Sequence, residues 1–327
     1  MTFIHDYKTC FEELLAQLVG AEPAFISRIG GSDTAAVVDY CRVKNGNPED
    51  IAAHIARYMP LVSRHNGFYD RTGSVQTYIR YCEELIRTYE SSETLLFCNY
   101  QLLSLYFRDV LNPVFYKDDF ENREYYRGFV EHLIAKVSAL RCYPYQVVEK
   151  VVFDDYTLFR AFSTALANRK VLVVSPFSES IAANFHRRHS FFKKKYVYPE
   201  FDLKLVSAPV TYAGLPPDLY PAADWFATVE SLCAEVSGID FDIALLSCGS
   251  YAMPLGVHIK RNLVRKAIYV GGVLQLFFGI MGRRYNNPFF LDQINGANFI
   301  LPLERERYLK FVTIGEKAAK EAFGAYF

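Results

Sequence analysis

The chain has 327 residues, a length that suits one large α/β unit or two smaller ones and leaves ample chain for a buried core. Its 36 Lys and Arg balance 36 Asp and Glu, so the formal net charge is zero and general attraction to nucleic acid or to anionic lipid is disfavoured. Seven cysteines (Cys10, Cys41, Cys82, Cys98, Cys142, Cys233 and Cys248) form no C-x-x-C pair and fall mostly inside apolar runs, as expected of reduced core thiols in a cytosolic protein.

The N-terminal MTFIHDYKTCFEELL carries acids and lacks the basic, apolar and small-residue layout of a secretory leader. No apolar stretch approaches the length of a membrane span, so no transmembrane segment is expected, and a cytoplasmic protein is. Phe11, Leu14, Leu15 and Leu18 recur at helical spacing and predict a helix over 7–19. Similar patterns predict helices near 34–43, 48–58, 75–89 and 124–140, and a C-terminal helix near 303–323. Between them lie short apolar runs with strand character at 24–29, 94–98, 170–175, 203–207, 242–247 and 266–270. The clearest of these, VLVV, IALL and AIYV, are continuous in hydrophobicity, as strands buried on both faces of a parallel sheet are. Alternation of such strands with helices predicts an α/β, Rossmann-like fold: a mostly parallel sheet flanked by helices, with additional helices in the N-terminal half. There is no internal repeat, low-complexity segment or Gly/Ser-rich linker, so residues 1–327 are read as a single domain.

In open parallel sheets, ligands bind beyond the carboxyl ends of the strands. Here those ends share a chemistry. Arg28, Gly30, Gly31, Ser32 and Asp33 follow the first run, SPFSES with Ser178 and Glu179 follows VLVV, Gly249, Ser250 and Tyr251 follow IALL, and Gly271 and Gly272 follow AIYV. Small residues ahead of a helix leave backbone N–H groups and the helix dipole available to an anion. Each corner also has a plain structural explanation in a turn, a cap or a first-turn acid. Four at one edge favour a pocket for a nucleotide diphosphate. Pro254 suits the first turn of a helix, Leu255 and Ile259 give that helix a buried face, and Gly256 allows close packing on the sheet. The dinucleotide fingerprint G-x-G-x-x-G is absent.

Other signals are discounted. Asp240-Phe241-Asp242 spells the D-x-D metal motif but precedes its strand, at the amino end of the sheet, and is read as a strand-entry turn. His186 and His189 lack a third ligand at convincing spacing. Ser247, Cys248 and Ser250 lie in no G-x-S-x-G. Lys193, Lys194 and Lys195 are read as a solvated helix end.

The blocks FISRIGGSD, HNGFYD, VLVVSPFSESI, YPEFDLKLVSAP, FDIALLSCGSYAMPLGVHIKR and AIYVGGVLQLFFGIMGRR resemble the bacterial GT-D-type glycosyltransferases. The resemblance runs from about Ala24 to Arg284. It implies transfer of a sugar (hexosyltransferase type) from a nucleotide diphosphate sugar to a glycan or glycoconjugate acceptor in polysaccharide biosynthesis, with a divalent cation, Mn²⁺ or Mg²⁺, held by acids of the first loop. The family's Arg-aromatic-Gly-Asp-Gly-Glu loop falls on Arg28 to Asp33. Its two acids become Gly31 and Asp33, so Asp33 alone is left as a metal ligand.

The chemistry requires stabilisation of the diphosphate leaving group and a base for the acceptor hydroxyl. Arg28 and the corners at 249–251 and 271–272 suit the first role, and Asp33 or Glu179 the second. His65, Asn66 and Gln275 match sugar hydroxyls by hydrogen-bonding type. Two other readings stay open: a Rossmann-like NAD(P)-dependent oxidoreductase, and a non-catalytic nucleotide-sugar-binding protein.

Overall fold

A computed structural model describes residues 2–3, 6–92, 94–97, 141–144, 158–193, 196–211, 217–283, 286 and 288–307. The helix expected near 124–140, Cys98, and the expected C-terminal helix beyond residue 307 lie outside them. The strands are β1 (Thr2–Phe3), β2 (Phe25–Ile29), β3 (Thr94–Phe97), β4 (Arg141–Pro144), β5 (Lys170–Ser175), β6 (Asp202–Ser207), β7 (Ile243–Leu246) and β8 (Lys266–Tyr269). They form one eight-stranded sheet in the order β1-β4-β3-β2-β8-β7-β5-β6. Every pairing is parallel.

The continuous apolar runs take the central places. β7 and β8 are buried along their whole length, and β5 is exposed only at Lys170. Such strands must be covered twice, and two apolar layers cover them. Leu172, Val174, Ala244 and Leu246 join one layer, while Val171, Val173, Ile243 and Leu245 join the other, the alternation of a period-2 strand.

Helices α1 (Tyr7–Val19), α2 (Gly31–Val43), α3 (Pro48–Asn66) and α4 (Val75–Glu90) precede β3, and α5 (Leu158–Ala165) precedes β5. They are followed by α6 (Ser178–Asn184), α7 (Trp225–Ser237), α8 (Ala252–Arg261), α9 (Leu274–Phe277) and α10 (Pro288–Leu291). Core residues of α2, α3, α4, α7 and α8 belong to the first layer, and those of α1, α5, α6 and α9 to the second.

Most expected elements occur within a residue or two of their predicted bounds, and α3 is the informative difference. It runs eight residues beyond 58, past Pro60, to the Gly67 C-cap at φ 84°. Pro60 cannot donate to the Ala56 carbonyl, but both positions face solvent, and the buried Tyr58 and Val62 hold the flanking turns. Strand β4 and helices α5 and α7 were not expected from the sequence.

The fit of α8 on the sheet is close. A Cβ at Gly256 would lie 2.1 Å from the Phe25 ring, whose residue is itself buried. Gly256→Ala is therefore expected to cost about 1–3 kcal/mol through overpacking, seen as a lower urea midpoint at unchanged m.

Candidate functional site

β2 and β8 are neighbours in the sheet, and the chain leaves their carboxyl ends for opposite faces. Helix α2, after β2, packs on the first layer and helix α9, after β8, on the second, the divergence beside which open α/β sheets bind their ligands. The residues around these strand ends are in contact with one another.

Asp33, in the first turn of α2, is 2 % exposed. Its Oδ1 accepts from the Tyr81 hydroxyl of α4 at 2.9 Å, and the Asn66 side chain also hydrogen-bonds to it. Burial raises its pKa from 3.8 to about 6, against the opposing influence of the Tyr81 bond, the Arg28 charge and the Asn66 bond. The Arg28 guanidinium lies 5.2 Å from the centroid of the Tyr269 ring at the end of β8. A Cβ on Gly30 would stand 3.2 Å from Asp33 Oδ2 and 4.0 Å from Asn66 Nδ2. Gly30 is the N-cap of α2 and supplies no side-chain cap to its N–H groups.

The end of α3 joins this corner to the one after β7. Ser250 Oγ donates to the Asn66 carbonyl at 2.8 Å and accepts from Trp225 Nε1 at 2.9 Å. The Gly67 carbonyl accepts from Thr211 Oγ1 at 2.6 Å, and the Tyr251 hydroxyl bonds to that same Thr211 oxygen. Gly249, at φ 60°, brings its backbone so close that a Cβ would lie 3.1 Å from the Asn66 carbonyl oxygen. The corner after β8 closes on β7, with the N–H groups of Val270 and Gly271 donating to the Leu246 carbonyl at 3.0 and 3.1 Å. Gly271 is buried and Gly272 half-buried beside it.

The structure thus brings together Arg28, Gly30, Asp33, Asn66, Gly249, Ser250 and Tyr251, with Tyr269 and Gly271 adjoining. Gly31 and Ser32 open α2 beside them, and His65 is exposed in the last turn of α3. Sequence reasoning missed Tyr81, Trp225, Thr211 and Tyr269, because an aromatic or hydroxyl residue inside an apolar run reads as core.

The corner after β5 stands apart. β5 is three strand spacings from β2, about 14 Å. Its helix α6, with Ser178 and Glu179, lies on the opposite face of the sheet from α2. There the buried Glu304 carboxylate accepts from the Ser180 N–H at 3.0 Å and from the Ser180 hydroxyl, so a side chain of the protein holds this helix N-terminus. Glu179 is exposed and pairs with Arg307 at 2.8 Å. Gln275 is 2 % exposed in α9, its Nε2 donating to the Ile280 carbonyl at 3.5 Å.

A second polar network lies behind the cluster and binds the helices that carry it. His54 of α3 is 1 % exposed, with Nδ1 2.9 Å from Asp39 Oδ2 of α2 and Nε2 3.0 Å from the Tyr78 hydroxyl of α4. Nδ1–H donating to the carboxylate leaves Nε2 to accept from Tyr78, so the neutral ring is fully bonded. Burial lowers the His54 pKa, against the opposing pull of Asp39.

The discounted motifs fall elsewhere. Asp242 accepts from the Lys170 N–H at 2.8 Å and Asp240 pairs with the Lys170 ammonium, at the amino end of the sheet. They border a cleft of about 280 Å³ that Arg169, Arg265 and Lys266 also line. His189 lies 2.7 Å from Glu200, and Lys193 donates to the Leu291 carbonyl at 3.0 Å. Among the described residues no group of three or more His, Cys, Asp or Glu side chains could hold a metal ion, and no helix is long and apolar enough to cross a membrane.

Fold and cluster together define a doubly wound α/β protein with a parallel sheet and a cluster of small and polar residues at the carboxyl ends of β2, β8 and β7. No protein-family model and no curated protein sequence matches the chain. Two solved structures align with it at a TM-score of 0.39. One is a selenomethionine-substituted domain of unknown function 1792, 12 % identical, covering 80 % of this chain and 82 % of its own. The other is described as a new glycosyltransferase of the same domain type from Streptococcus sanguinis, 13 % identical, covering 84 % of this chain and 82 % of its own.

Proposed function

We propose that this chain is a cytoplasmic glycosyltransferase of hexosyltransferase type that takes a nucleotide diphosphate sugar as donor and a glycan or glycoconjugate as acceptor, in polysaccharide biosynthesis. The observation that carries this reading is the contact chain from Arg28 and Gly30 through Asn66 to Gly249 and Ser250, at the carboxyl ends of β2, β8 and β7. Arg28 and the backbone N–H groups at the start of α2 meet the diphosphate, whose charge grows as the bond to the sugar breaks. The corners at Gly249–Tyr251 and Gly271–Gly272 border the same crevice, and Asn66 and His65 offer amide and imidazole groups to sugar hydroxyls. Ser32 adds a hydroxyl at the entrance. Ser178 on the far face and the buried Gln275 lie away from this cluster and take no part in this scheme.

Of the two carboxylates, Asp33 is the one at the cluster, and a carboxyl titrating near 6 is matched to proton transfer around neutral pH. Glu179, on the far face, is the alternative base. The burial of Asp33 and its bond to Tyr81 favour one second reading, a non-catalytic nucleotide-sugar binder.

A thermal-shift panel of UDP-sugars, GDP-sugars, NAD and NADP tests the assignment, with release of nucleoside diphosphate from the stabilising sugar donor separating enzyme from binder. Nucleotide sugars are expected to raise the melting temperature of the wild type and not that of Gly249→Val, whose branched side chain meets both a left-handed φ and the Asn66 carbonyl. Stabilisation by NAD or NADP alone overturns the proposal.

A further inference from the structure

The family resemblance implies a divalent cation at the first loop, and the donor set built here does not fit one. Mg²⁺ and Mn²⁺ take an array of oxygen ligands, usually one or two carboxylates together with substrate phosphates and water. The loop offers one carboxylate, Asp33, which is 2 % exposed, has Oδ1 facing the Tyr81 hydroxyl at 2.9 Å and hydrogen-bonds to the Asn66 side chain. Reaching a cation in the crevice would require breaking these bonds and moving α2, which is locked to α3 and α4 by the Asp39–His54–Tyr78 network. At the first acid position of the family stands Gly31, which has no side chain. The positive charge present is Arg28, near Asp33 and over the Tyr269 ring.

We infer that the diphosphate site of this protein works without a divalent cation, that the Arg28 guanidinium supplies the charge the cation would bring, and that the Asp33 carboxylate is bonded to Tyr81 and Asn66 and ligates no metal. The inference rests on the proposed function. A guanidinium suits this role because its fork of donors can bond two phosphate oxygens at once and its charge persists at every working pH. The Tyr269 ring limits the orientations the guanidinium can take, which lowers the ordering cost of binding.

The test titrates the full-length protein with UDP and with GDP, following thermal shift in excess EDTA and in excess Mn²⁺, and records the electron paramagnetic resonance of Mn²⁺ with the protein alone. The expected result is an apparent affinity equal within about twofold in the two media, about tenfold or more weaker in Arg28→Gln in both, and a Mn²⁺ spectrum that stays that of the free ion. Binding that appears only with Mn²⁺, or a protein-bound Mn²⁺ signal, overturns the inference and leaves the proposed function standing. Wild-type affinity in folded Arg28→Gln overturns the assignment of the charge. Absence of binding by UDP, GDP and their sugars in both media overturns the proposed function and this inference together.

Discussion

Trp225→Ala is expected to lower the unfolding free energy by about 3–5 kcal/mol, the range for deleting a large buried aromatic side chain. Trp225 opens α7 and is completely buried, with Tyr81 packed edge-on at 4.9 Å and Tyr251 stacked at 5.9 Å. Both neighbours belong to the candidate site, Tyr81 through Asp33 and Tyr251 through the corner after β7. The loss is a large share of the roughly 5–15 kcal/mol that holds a typical domain folded. Far-UV circular dichroism in urea is the suitable measurement, since the substitution removes the chain's single tryptophan. Trp225→Phe keeps most of the packing but removes the bond from Nε1 to Ser250 Oγ, and is expected to cost about 1–2 kcal/mol. Ser250 then remains bonded to Asn66 but loses its second restraint. Trp225→Phe should therefore weaken nucleotide-sugar binding by more than its stability loss alone explains, measured well below the melting temperature.

Asp33→Asn is expected to act in the opposite direction and stabilise the protein above pH 6. The folded-state pKa, raised by burial from 3.8 to about 6, means that the folded protein binds a proton more tightly than the unfolded chain does. Stability therefore rises as pH falls through 6 towards 4, and above 6 the buried carboxylate costs about 3 kcal/mol relative to an unshifted one. An asparagine has no such titration and its carbonyl can still accept from Tyr81. Its new N–H group can be met by the Asn66 amide, whose buried Oδ1 has no hydrogen-bond partner among the described residues and reaches it by an amide flip. Denaturant midpoints across pH 4 to 8 provide the check. The advantage of Asp33→Asn over the wild type should be greatest above pH 6 and shrink towards pH 4; a constant difference would remove the titrating buried carboxylate from the account. Nucleotide binding read on the same variant would show how much of the site's geometry depends on the charge of Asp33 rather than on its hydrogen bonds.

Helix α1 and strand β5 have the bounds predicted from sequence, 7–19 and 170–175, because each carries its pattern in full: helical spacing from Phe11 to Leu18, and an unbroken apolar run from Val171 to Val174. Strand β4 was hidden because Arg141 and Pro144 interrupt such a run. Arg141 is accommodated by a partner remote in sequence, Glu13 of α1. The parallel, two-sided sheet was legible in VLVV, IALL and AIYV, and so was the close approach marked by Gly256. The carboxyl-edge corners were legible one at a time. Their grouping was not, because it depends on strand order: β8 inserted beside β2 puts Tyr269 against Arg28, while β7 and β8 hold the β5 corner three strands away.

By itself, then, the sequence determined the fold class and which residues could stand at the carboxyl edge, since both follow from local hydrophobic period and from small residues after apolar runs. Only the tertiary structure decided that Asp33 is buried against Tyr81 and Asn66, that Glu304 holds the N-terminus of α6, and that Trp225 ties Ser250 to the end of α3. Those contacts join residues dozens to more than a hundred positions apart. No local pattern encodes them, because each depends on how packing against the two faces of the sheet orients helices distant in the chain.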